Sequence, residues 1–283
     1  MIIPPLPTPF DRAGRPDWGA YAELMAGLAP NVDGFLVFGS NGEAPLLTPA
    51  ERREGLARLD PPKPFLVGVG DESLPQALEH QRAARDAGAL AGLAYLPRFF
   101  HGLLDEGAAV DYFAGLAEVH PVWIYHVPQL TRTDLPLPWV AEIARLPGVE
   151  GIKDSSGEVS RIAYYRARGL GLRVFTGSAV VLLASLVHGA EGGILAAANL
   201  APRTLGRLVR AFREGRLDEA LALSERVDPL ARLLGAGGPV LLKQALRHLG
   251  CPAGLPRPPL PQESPLWPEL RSRLEDLGEH PCG

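Results

Sequence analysis

Short apolar runs bounded by Gly, Pro or Asp alternate with amphipathic segments that carry helix start signals, and the alternation stops after Glu214. This pattern predicts an α/β protein, a (β/α)8 TIM barrel with a C-terminal helical extension, divided as residues 1–214 and 215–283. The runs are residues 33–39 (DGFLVFG), 64–70 (PFLVGVG), 92–97 (GLAYLP), 121–128 (PVWIYHVP), 148–154 (GVEGIKD), 173–178 (RVFTGS) and 192–199 (GGILAAAN). A short piece at 2–7 brings the count to eight. Each run is almost continuously apolar, as strands covered on both faces should be.

The helices between them have local causes. Asp17 can cap a helix whose Tyr21, Leu24, Met25 and Leu28 share one face. Thr48-Pro49-Ala50-Glu51 is a capping box with proline at the first helical position. Ser73 can cap a helix ending at Gly88, and helical patterns follow at 106–119, 137–145, 158–168, 179–188 and 202–214. Eight such units suit a closed barrel better than an open doubly wound sheet, whose glycine fingerprint is incomplete at Gly68-Val69-Gly70-Asp71-Glu72-Ser73. Beyond Glu214, residues 217–234 and 239–249 read as helices, followed by a Pro-rich link at 252–261 and a last helix at 269–277.

Composition narrows the function. The 283 residues are 46% hydrophobic and 21% charged, enough apolar material for a sizeable core. Acidic side chains (32) outnumber basic ones (28), the formal charge is −4, and no basic tract supports a nucleic-acid partner. The most membrane-like stretch, 179–198, is broken by His188, Glu191 and glycines 189, 192 and 193, so it reads as helix, turn and strand. No basic n-region with a long apolar stretch opens the chain, and the expectation is a soluble, cytoplasmic protein. Cys251 and Cys282 are too few for a disulfide framework or a four-ligand zinc site. The histidines and carboxylates show no metal-ligand spacing, so no metal or cofactor is expected.

In a barrel, reactive groups collect at the C-terminal ends of the strands. That rule selects Gly39-Ser40-Asn41-Gly42-Glu43, Tyr125-His126-Val127-Pro128, Lys153-Asp154-Ser155-Ser156-Gly157 and Thr176-Gly177-Ser178. Only three of the basic residues are lysines: Lys63, Lys153 and Lys243. Lys153 lies on a strand that should be buried, where an ammonium must pair, reach solvent or shed its proton. A neutral amine at a barrel mouth is a nucleophile able to form a Schiff base with a carbonyl substrate. A salt bridge with Asp154 is the bland alternative, but adjacent strand residues point to opposite faces. Tyr125 can pass a proton to or from a reacting carbonyl, and Ser40 and Asn41 can offer donors to a small carboxylate.

The ordered series GSNGE (39–43), YHVP (125–128), GIKDSSG (151–157) and TGS…GAEGGI…N..P (176–202) resembles the dihydrodipicolinate synthase / N-acetylneuraminate lyase superfamily over nearly the whole chain. These are lysine-dependent class I aldolases on a (β/α)8 barrel. The resemblance implies that Lys153 forms the imine with pyruvate or a 2-oxo acid and that Tyr125 relays protons. It further implies that Ser40 and Asn41 hold the carboxylate, with Gly193 and Ile194 also lining the substrate. Homo-oligomers, tetramers or dimers, are implied as well. The synthase has Thr-Thr where this chain has Ser40-Asn41, an arginine where it has Leu130 (Arg132 lies two residues on), and tyrosines where it has Phe99-Phe100. The GSNGE and KDSSG segments are most similar to 4-hydroxy-2-oxoglutarate aldolase and 2-keto-3-deoxy sugar-acid aldolases, in which Ser155 would contact a substrate hydroxyl. The leading expectation is therefore a lyase releasing pyruvate and an aldehyde. A dihydrodipicolinate synthase with a relocated arginine, and a non-catalytic barrel that binds a 2-oxo acid, are the alternatives.

Overall fold

The computed structural model describes residues 1–282, the side chain of residue 101 excepted. Eight strands form one sheet: β1 (Ile2–Ile3), β2 (Phe35–Val37), β3 (Phe65–Gly68), β4 (Ala91–Ala94), β5 (Val122–His126), β6 (Val149–Asp154), β7 (Arg173–Thr176) and β8 (Gly192–Ile194). Their order is β1-β8-β7-β6-β5-β4-β3-β2, and the pairs from β3 through β8 are parallel. A parallel bridge between Pro5 and Leu36 sets the segment after β1 beside β2, so the sheet returns on itself. The fold is the expected (β/α)8 barrel with a C-terminal helical segment.

The helices are α1 (Trp18–Leu28), α2 (Pro49–Arg58), α3 (Leu74–Asp86), α4 (Glu106–Val119), α5 (Pro128–Thr131), α6 (Leu137–Ile143), α7 (Val159–Ala167) and α8 (Leu182–Val187). After the last strand come α9 (Pro202–Arg213), α10 (Leu217–His248) and α11 (Trp267–Leu277). The chain divides into two compact units, Met1–Phe65 with Ile194–Gly283, and Leu66–Gly193.

In the first unit, Asp17 accepts from the Ala20 N–H at the start of α1, and Thr48 and Glu51 form the expected capping box of α2. Trp18, Tyr21 and Phe38 pack edge to face or tilted, and Gly55 admits them because a Cβ there would lie 2.6 Å from the Trp18 ring. The two helices expected at 217–234 and 239–249 form the single element α10, interrupted where Gly238 adopts φ 57 and ψ −151 before Pro239. The run at 192–199 yields only three strand residues before a 3-10 turn, Ala196–Asn199. Buried Asn199 explains the change, because its amide donates to the carbonyls of Pro5 and Ala196, both at 3.1 Å. Cys251 and Cys282, too few for a framework, nevertheless bond to each other across 31 residues.

In the second unit, Ser73 caps α3 through the Gln76 N–H, and Gly88 ends it with φ 76. Trp123 and Phe175 stack at 5.3 Å, and Gly151 lets β6 approach because a Cβ there would sit 2.5 Å from the Trp123 ring. The helix expected at 179–188 opens as a 3-10 turn, Ala179–Val181, before α8. Among the described residues no helix is long and apolar enough to cross a membrane.

Candidate active site

Parallel pairing of β5 with β6 sets Tyr125 opposite Lys153 and His126 opposite Asp154. Successive strand residues face opposite sides, so Tyr125 and Lys153 share one face. Lys153 is 3% exposed and Tyr125 8%. The Lys153 Nζ lies 4.4 Å from the centroid of the Tyr125 ring. Among the described residues Lys153 has no carboxylate partner.

The neighbouring carboxylate is committed elsewhere. Asp154 Oδ2 accepts from Arg161 Nε at 3.0 Å and from the Tyr165 hydroxyl at 2.7 Å, and its Oδ1 accepts from the N–H and hydroxyl of Ser156. Arg161 and Tyr165 are one helical turn apart on α7, which directs both at the same strand end. Burial, then the Asp154 charge, pushes the Tyr165 phenol far above its ordinary range, so it remains a donor. His126 is buried and its imidazole is held below its ordinary value of 6.5, first by burial, then by Arg161, with Asp154 and Asp134 opposing. The Lys153–Asp154 pairing weighed from the sequence is therefore absent, for the reason of strand geometry.

The loop after β6 is fixed through its backbone. The Ser155 N–H donates to the His126 carbonyl at 2.8 Å, and the Gln129 amide donates to the carbonyls of Ser155 (2.9 Å) and Ser156 (3.2 Å). Gly177 donates to the Asp154 carbonyl, and a Cβ at this glycine would fall 1.8 Å from Ser155 Oγ. Half-buried Ser155 thus occupies space that only glycine leaves open. Gly193 pairs with Thr176 in the β7–β8 ladder.

Ser40, Asn41 and Ile194 belong to the other compact unit. Half-buried Ser40 and Asn41 crest a turn in which Gly42 donates to the Gly39 carbonyl (3.0 Å) and Glu43 to the Ser40 carbonyl (3.1 Å). The Thr8 hydroxyl donates to the Gly42 carbonyl at 2.7 Å. Phe38 and Glu43, at the two ends of this turn, both have φ 55, a left-handed conformation that costs non-glycine residues of order 1–3 kcal/mol.

Sequence reasoning singled out Lys153, Tyr125 and the turn that contains Gly177, and did not single out Gln129, Arg161 or Tyr165. One signal pointed to the last two: Asp154 on a strand buried on both faces demands a partner, and α7 offers Arg161 and Tyr165 at i, i+4 spacing. Among the described residues no group of three or more His, Cys, Asp or Glu side chains is arranged to hold a metal ion.

Comparison with known proteins agrees with this arrangement at the level of family. Residues 1–276 match the family model described as the dihydrodipicolinate synthetase family. A 4-hydroxy-tetrahydrodipicolinate synthase of Methanoculleus marisnigri is 32% identical over 270 residues, covering 92% of each chain. The crystal structure of a candidate dihydrodipicolinate synthase from Thermus thermophilus superimposes with a TM-score of 0.95 at 57% identity, covering 98% of both chains. YagE of E. coli K12, a prophage protein crystallised in complex with pyruvate, gives a TM-score of 0.89 at 27% identity, covering 98% of this chain and 97% of its own.

Proposed function

The chain belongs to the dihydrodipicolinate synthetase family, and from that premise we propose that it is a Schiff-base enzyme that makes or breaks a carbon–carbon bond next to pyruvate. The observation that carries this reading is Lys153: buried, lacking a carboxylate partner, and held over the Tyr125 ring. An amine in that setting attacks the C2 carbonyl of a 2-oxo acid, and water leaves as the protonated imine forms. For a 4-hydroxy-2-oxo acid, a base removes the C4 hydroxyl proton. The C3–C4 bonding pair then flows toward the imine nitrogen, releasing an aldehyde and leaving an enamine. Protonation at C3 and hydrolysis return pyruvate and the free amine. Tyr125 is the proton relay at the imine, Ser40 and Asn41 bind the carboxylate, Gly193 and Ile194 line the substrate, and Ser155 meets the C4 hydroxyl.

Retro-aldol cleavage is the reading that the substituted positions support: Leu130 and the exposed pair Phe99 and Phe100 lack the arginine and hydroxyls of a synthase. The second reading, condensation of pyruvate with aspartate semialdehyde, has more support than the first from the comparisons, since relatives at 32% and 34% identity both bear the name 4-hydroxy-tetrahydrodipicolinate synthase. A cytoplasmic location and a homo-oligomer, dimer or tetramer, complete the proposal; Phe99, Phe100 and Leu103 are 78%, 61% and 81% exposed, an apolar patch suited to association.

Borohydride reduction in the presence of pyruvate is expected to add one reduced pyruvate to the peptide containing Lys153, and Lys153→Ala to abolish both adduct and turnover. No adduct on the wild-type protein rules out the mechanism. Pyruvate release from a panel of 4-hydroxy-2-oxo acids, set against condensation with aspartate semialdehyde, separates the two readings.

A further inference from the structure

The Ser40–Asn41 turn ends on Glu43, whose carboxylate is sealed from solvent and faces groups two hundred or more residues further along the chain. Glu43 Oε1 lies 2.5 Å from Lys243 Nζ on α10, and Oε2 accepts from the Arg257 N–H at 2.8 Å. Lys243 also donates to the Leu255 carbonyl at 2.8 Å and sits 4.4 Å above the Phe10 ring. A second pair fixes the far end of the same segment. The Arg257 guanidinium forks onto Glu51 at 2.7 and 2.8 Å, donates to the Leu46 carbonyl, and covers Phe10 at 5.2 Å.

We propose that Lys243 and Glu43 are positioning residues for the 2-oxo-acid carboxylate, their buried ion pair holding the Ser40–Asn41 turn in its binding shape. The assignment rests on the imine reading above. Two features of the turn call for such a restraint. Phe38 and Glu43 both have left-handed backbones, which persist only where surrounding contacts over-determine them. Phe38 is held by packing against Trp18 and Tyr21, whereas Glu43 is held through its carboxylate. A buried ion pair is also a poor choice for stability alone, since apolar residues of similar volume do as well or better. Burial draws Lys243 down to about 8 against the opposing pull of Glu43, a sign that the pairing does not fully offset the loss of water.

The test is the double variant Glu43→Gln/Lys243→Met, which removes both charges and keeps the volume. It is expected to fold cooperatively and to speed amide hydrogen exchange at Gly42, Glu43 and Ala44 about tenfold, roughly the loss of one charge-assisted hydrogen bond. The pyruvate concentration giving half-maximal borohydride trapping is expected to rise about tenfold. Trapping at saturation is expected to stay unchanged. A folded double variant with wild-type exchange and wild-type pyruvate dependence overturns the proposal. Should the wild-type protein trap no pyruvate, the imine reading fails and the proposal with it, while exchange still shows whether the pair restrains the turn. Glu43→Asp, which keeps both charges and shortens the arm, is the second variant if the first does not fold; it is expected to move both readouts in the same direction, and no movement overturns the proposal equally.

Discussion

Two of the three lysines are buried, and they are buried differently. Lys243 is wholly enclosed with the Glu43 carboxylate 2.5 Å away. Lys153 is 3% exposed and has an aromatic face where Lys243 has an acid. The carboxylate nearest to it in sequence, Asp154, is turned to the other face and taken by Arg161 and Tyr165. Burial is common to both, so burial does not mark an amine as reactive. What differs is the counter-ion, present at Lys243 and withheld from Lys153.

The contrast is broken most directly by stability. Lys243→Met strands Glu43 in the interior and is expected to cost about 3–5 kcal/mol in urea unfolding, whereas Lys153→Met leaves no charge orphaned and is expected to change stability by less than about 1 kcal/mol. Equal losses at the two sites would end the comparison. A smaller effect sharpens the Lys153 side. Gly177→Ala drives a methyl into Ser155 Oγ and is expected to cost about 1–3 kcal/mol, with Ser155→Gly in the same chain restoring most of it. An unaltered thermal midpoint for Gly177→Ala would mean the loop after β6 yields freely.

The smallest expected effect is a pH slope from His126, behind the strand pair. Burial holds the folded imidazole below 6.5, so as pH falls through 6.5 the unfolded chain takes the proton first. Stability from this group is full above 6.5 and is lost as pH drops toward the folded value. Thermal midpoints between pH 7 and pH 5 are expected to fall less steeply in His126→Asn than in the wild type; parallel slopes would remove His126 from the account.

The barrel was legible because most strands are near-continuous apolar runs and each early helix carries its own cap, at Asp17, Thr48 and Ser73, information contained within a few residues. Lys153 and Tyr125 could be singled out as candidates for the same reason: position at a strand end is local. The partners of a buried charge are not local. Glu43 read as part of a turn motif, and nothing within that motif indicates that Lys243 and Arg257 close over it. The disulfide escaped because spacing alone does not report that Cys251 and Cys282 end 5.6 Å apart at Cα. The break in α10 at Gly238 was visible as a boundary between two helices, since proline follows glycine there.

That same disulfide reaches further than the two sulfurs. Helix α9 begins at Pro202 after Ala201, with no side chain of its own to accept from its first free amides. Glu279, three residues before Cys282, accepts from Arg203 N–H at 3.0 Å and Thr204 N–H at 2.7 Å instead. The start of α9 is thus finished by a residue from the chain's tail, and the tail is tethered by a bond that a reducing agent can cut. With the thiols reduced, the bonds from Arg226 to the Asp276 and Leu277 carbonyls remain, so the tail that caps α9 loses one tether and keeps another.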